Sequence, residues 1–181
     1  MCRERRMSSI KRMNIPYIRA GAIAAIIGGI AAALLGLLHL LSLYGAAETT
    51  AYIARGLLLA FTIVVLARIA ARPLATVGAV LAVTGALLQV AMIVSAETGI
   101  AVDFEGPLMP VSLLGLLVGQ ILLGIAHFRA RALPVWVSAA IALGILLTVV
   151  PMVGEILYGA LFAAIGLSMY GKATAEVVPA H

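Results

Sequence analysis

Apolar and polar positions along this chain sort into six long apolar stretches separated by short polar gaps. The pattern predicts helices over residues 18–44, 51–70, 74–96, 109–128, 133–153 and 155–170. A membrane-spanning helix needs roughly 20 apolar residues. In hydrocarbon every backbone N–H and C=O must find an internal partner, so only helices or closed barrels span. Barrel strands run about 10 residues with strict alternation. The runs here are far longer and do not alternate, and they are rich in Ala and Leu, both strong helix formers. The expected fold is all-α, a six-helix transmembrane bundle forming one domain over 18–171. A basic segment (1–17) and a short tail (172–181) flank it.

Composition agrees. Of 181 residues, 64% are hydrophobic and only 10% charged, whereas a soluble domain carries about 25% charged residues. Six helices and their loops use nearly the whole length. The first apolar run, 20–44, is longer than the 7–15 residues of a cleaved signal, so it reads as a retained helix. Met7 and Met13 stand as alternative starts.

Charge then orients the bundle. The gaps holding Arg68 and Arg72, Arg129 and Arg131, and Lys172 are basic, as is the N-terminal segment. The gaps between them hold Glu48, Glu97, Asp103, Glu105 and Glu155. Eleven of the twelve Lys and Arg residues thus fall on one side, which the positive-inside rule makes cytoplasmic. Both termini are then cytoplasmic, and the expected location is the cytoplasmic (inner) membrane. The net charge of +5 reports this orientation and contact with anionic lipid, not a nucleic-acid footprint. In the gaps 71–74 and 130–134 an Arg precedes a Pro, which suits the first turn of the following helix. The longest loop, 98–110, is the candidate to cap the outer face.

Few polar residues lie within the apolar runs, and a polar group in the bilayer is a functional hypothesis by default. His39 lies near the outer end of the first helix. Gln89 and Gln120 lie nearer the midplane of the third and fourth, where antiparallel packing could pair their amides. Arg55 alone breaks the charge alternation, one turn inside the second helix on the acidic side. Glu48 or Glu155 would compensate it. These residues define a candidate outward-facing pocket of His39, Arg55, Glu155 and Tyr158, for a small anion, a cation or a proton. Both acids also suit the positive ends of helix dipoles, a structural account that suffices for them.

Small residues mark the packing surfaces. Ala20, Ala24, Gly28, Ala32 and Gly36 recur every four residues on the first helix, and Gly115 and Gly119 do so on the fourth. In lipid, helices associate through close backbone approach at such positions. The first stripe packs within the subunit or docks a partner subunit or second copy. A repeat is also visible. Gly36, Gly85 and Gly144 are each followed one turn on by His39, Gln89 or Thr148, and then by Glu48, Glu97 or Glu155. Three related hairpins would produce that pattern.

Catalytic signals are missing. The chain has no Gly-x-Ser-x-Gly, P-loop or Cys-x-x-Cys motif, and no His/Cys/Asp/Glu cluster with metal spacing. Cys2 stands alone. No cofactor, metal or enzymatic activity is expected. The segments 124–136 (Gly-Ile-Ala-His-Phe-Arg-Ala-Arg-Ala-Leu-Pro-Val-Trp) and 159–171, with Pro151 between them, resemble uncharacterised bacterial multi-pass membrane proteins. The stripe Ala20, Ala24, Gly28 and Ala32 resembles that of substrate-binding components of energy-coupling-factor vitamin transporters. That resemblance implies six helices and docking of a transport subunit through the first. The leading expectation is a non-enzymatic accessory or packing subunit. The alternative is a small-molecule or ion transporter, or its membrane substrate-binding component.

Overall fold

The computed structural model describes residues 15–99, 105–148, 150 and 153–175. They form α1 (Ile15–Leu40), α2 (Ala46–Ala70), α3 (Pro73–Thr98), α4 (Glu105–Ala130), α5 (Val135–Leu147) and α6 (Val153–Ala175). The described residues contain no strand. Each helix packs antiparallel on the next in chain order, and α6 returns to pack along α1, so the six close into a ring. Contacts between α2 and α4 cross its centre. One end of the bundle carries Glu48, Glu97 and Glu155, and the other carries Arg68, Arg72, Arg129, Arg131 and Lys172. They are called the acidic and basic ends below.

Five helices are long and apolar enough to cross a membrane. The fifth is shorter than expected: α5 has 13 residues, about 20 Å at 1.5 Å per residue. The sequence supplies the reason. Pro151 has no N–H to give the Leu147 carbonyl, its partner four residues back, and proline disfavours helical backbone in the residue before it. Instead the Val150 N–H bonds Leu147 and the Gly154 N–H bonds Val150, both at 3.0 Å. Gly154 sits so close to the Leu147 carbonyl that a Cβ there would overlap it.

Other boundaries shift for local reasons. The first helix ends at Leu40, not Tyr44, because Ser42 turns left-handed (φ 54°). Its N–H bonds His39, while the Leu43 N–H bonds Leu38, the pairing of a Schellman C-cap. The second helix starts at Ala46, which puts Glu48 in its first turn. The fourth starts at Glu105, so part of the expected 98–110 loop is helical. Residues 100–104, including Phe104, lie outside the described residues. Residues 15–17 and 172–175, assigned to the flanking segments on sequence, belong to α1 and α6. Pro73 opens α3 at its first turn, and Ala71 closes α2 in the left-handed region.

On α1 most large side chains face outward and the small residues of the stripe inward. Ile23, Ile27, Ile30 and Leu34 on α1 are exposed, whereas Ala24, Gly28, Ala32 and Gly36 are buried. The stripe therefore packs inside the subunit, with Gly28 against Leu58 of α2. Ala20, expected in the same stripe, is exposed. An outer surface of this kind would aggregate in water and suits hydrocarbon.

Close backbone crossings recur in pairs along two seams. Gly159 and Gly166 of α6 lie against the backbone at Gly29 and Ala22 of α1. Gly78 and Gly85 of α3 lie against Gly119 and Ser112 of α4. In each seam the two contacts stand seven residues apart on both helices, and any Cβ would crowd backbone across the seam. Gly124 of α4 makes a further crossing against the Ser138 carbonyl and Ala142 amide of α5, whereas Gly21 of α1 meets the Val65 side chain and Gly144 of α5 meets Leu161 and Tyr158. Three equivalent hairpins would have repeated the α3–α4 crossing at α1–α2 and α5–α6. Neither pair shows such a crossing at its glycines. Gly115 is half-buried beside Leu81.

Candidate functional site

The polar residues of the interior converge between α2, α4 and α6. Tyr52 and Arg55 stand three positions apart on α2, as do Glu155 and Tyr158 on α6, so each pair shares a helix face. Arg55 is only 6% exposed. Its Nη1 donates to Glu155 Oε2 at 2.5 Å. Its guanidinium carbon lies 5.2 Å from the Tyr52 ring centroid and 6.0 Å from that of Tyr158, within cation–π reach. Glu155 is thus the carboxylate that compensates Arg55, while Glu48 pairs elsewhere.

Tyr158 extends the cluster to α4. It is fully packed, its ring 4.8 Å from that of Phe162, and its hydroxyl accepts a hydrogen bond from Gln120 Nε2 at 3.0 Å. The other amide atom, Gln120 Oε1, is buried without a hydrogen-bond partner among the described residues. The expected pairing of Gln89 with Gln120 does not form. Gln89 is half-buried on α3 and makes no hydrogen bond to a described residue.

A small cavity borders the cluster, with room for about one water molecule. Its walls are Ala24, Gly28 and Ala32 of α1, Arg55 and Thr62 of α2, and Tyr158 of α6. The small residues of α1 leave this space because they lack side chains to fill it. Thr62 bonds the Leu58 carbonyl of its own helix.

His39 stands at the rim and not in the pocket. It pairs with Glu48 at 2.8 Å and lies 6.2 Å from the Tyr52 ring, which links it to Arg55. Thr49 ties the rim to α3 by donating to Glu97 at 2.7 Å. At the basic end, His127 is fully buried. Its Nε2–H donates to the Leu66 carbonyl at 2.9 Å, and Nδ1 has no hydrogen-bond partner among the described residues. Lys172 closes the same end by donating to the Ala132 carbonyl.

Of the expected pocket residues, the structure brings together Arg55, Glu155, Tyr158 and Gln120. It places His39 beside them and Gln89 apart. Tyr52 and the buried His127 were not expected in this role. The signals were spacings: Tyr52 three before Arg55, and His127 seven after Gln120 on one face of α4. Among the described residues no group of His, Cys, Asp and Glu could hold a metal ion.

No protein-family model matches the chain, nor does any curated protein or solved structure.

Proposed function

We propose that the protein is a small-solute or ion transporter of the cytoplasmic (inner) membrane, with two halves, α1–α3 and α4–α6, that rock about the Arg55 cluster. The observation that carries this reading is the buried Arg55–Glu155 ion pair, which joins the two halves. Arg55 comes from one half, and Glu155, Tyr158 and Gln120 come from the other. Their ion pair acts as a latch at the acidic end. His127 on Leu66 joins the same halves at the basic end. Smooth glycine seams at α1–α6 and α3–α4 would let the halves tilt without long side chains interlocking. The positive-inside rule makes the basic end cytoplasmic, so the latch closes the outer side. The reading involves no covalent chemistry.

A second reading, the accessory or packing subunit, is favoured by one observation. The acidic-end residues are already paired with one another, and the cavity beside Arg55 has room for about one water. Labelling separates the two. In a Cys2→Ser background, Thr62→Cys lies in the cavity wall. The transport reading expects a membrane-impermeant maleimide to reach it from the acidic side, and faster once Glu155→Gln opens the latch. Protection from both sides in both backgrounds, with a stoichiometric partner in mass analysis from mild detergent, would establish the packing subunit instead.

A further inference from the structure

Between α2 and α3, at the basic end, runs a groove of about 710 Å³, the size range of small-molecule sites. It exists because the seam is lined by short side chains: Ala67 and Ala71 on α2, and Pro73 and Ala79 on α3, cannot fill it. Two features give it a chemical direction. Arg68 and Arg72 stand at its mouth, exposed and with no carboxylate partner among the described residues. Beyond them the walls are apolar, with Val64 on α2 and Val80 and Val83 on α3. From Pro73 to Val83 the groove follows α3 for about 15 Å, the depth of one leaflet of a hydrocarbon core about 30 Å thick.

We propose that this groove binds one anionic phospholipid of the basic-side leaflet. The phosphate is held by the Arg68 and Arg72 guanidiniums, and one acyl chain lies along Val64, Val80 and Val83. The charge matches, because two guanidiniums at the depth of the headgroups recognise a phosphate by charge-assisted hydrogen bonds. The length matches, because the apolar wall ends where the leaflet ends. A free phosphate would satisfy the mouth and leave the wall bare, and a zwitterionic lipid would fill the wall and leave the excess positive charge unmatched. The proposal does not depend on the transport reading, since the groove lies on the outer face of the ring, away from Arg55 and Glu155.

The full chain is reconstituted in nanodiscs of phosphatidylcholine containing a minor fraction of phosphatidylglycerol. It is then released into mild detergent, and retained lipid is counted by native mass spectrometry. One retained phosphatidylglycerol per chain is expected. It should be lost in Arg68→Gln/Arg72→Gln, lost again in Ala67→Phe, which fills the groove with both charges intact, and kept in Arg129→Gln/Arg131→Gln. Thermal unfolding of each variant confirms that it is folded. Unchanged retention in the Arg68/Arg72 variant overturns the proposal, as does equal loss in the Arg129/Arg131 variant or equal retention of phosphatidylcholine. Displacement of the lipid by inorganic phosphate alone would reassign the mouth to a free anion and overturn it too.

Discussion

At the scale of single residues, Glu155 decides whether Arg55 can remain inside the bundle. A buried guanidinium stripped of its carboxylate costs about 3–5 kcal/mol. Glu155→Gln is therefore expected to lower thermal stability in detergent by that order. Replacing both partners with apolar residues of similar size, as in Arg55→Met/Glu155→Leu, should restore most of it, because no unpaired charge remains. Circular dichroism melts of the two variants check this, and equal destabilisation by both would refute the latch. Arg55 was legible from sequence as the one cation on the acidic side. Its partner was not. Glu48 and Glu155 both lie at that end, seven and one hundred residues away, and nothing local distinguishes them. The closure of α6 on α1 brought Glu155 to Arg55, while His39, in the last turn of α1, took Glu48.

Helices and their seams form the next scale. Gly119 and Gly171 are both helical, yet they differ in what a methyl group would meet. At Gly119 it would press on the Ala82 amide and the Gly78 carbonyl of α3, and at Gly171 it would meet open space. Gly119→Ala should cost about 1–3 kcal/mol through forced backbone separation. Gly171→Ala should be neutral or stabilising by up to about 1 kcal/mol through helix propensity. Thermal unfolding of the pair in one detergent is the measurement, and a harmless Gly119→Ala would remove the argument for a close α3–α4 seam. Sequence identified helix positions and the seam glycine Gly119 by spacing, and by the same spacing Gly28 and Ala32, which line the cavity beside Arg55. It misjudged ends that lack a strong stop signal. Ser42, neither Gly nor Asn, closes α1 in the left-handed region, and apolar Leu41 and Leu43 concealed the break. Pro151 did carry a stop signal, and it shortens α5.

For the whole molecule, the ring of six places every acidic loop at one end and every basic loop at the other. In a Cys2→Ser background, Ser42→Cys and Arg131→Cys should react with an impermeant thiol reagent from opposite faces of the membrane. Positive-inside orientation puts Arg131→Cys on the cytoplasmic side, and labelling of both from one face would exclude the up-and-down ring. The sequence by itself determined the number of helices, the all-α class and the separation of charge, because length, hydropathy and loop charge are properties of each segment alone. Only the tertiary structure decided the ring closure of α6 on α1, the matched glycine seams, and the meeting of Arg55 with Glu155, Tyr158 and Gln120. The physical reason lies in the solvent. In water an apolar stripe marks the face a helix will bury. In lipid both faces are apolar, so hydropathy does not tell inside from outside, and the few buried polar groups have partners on other helices. Those partners are specified only when the helices pack.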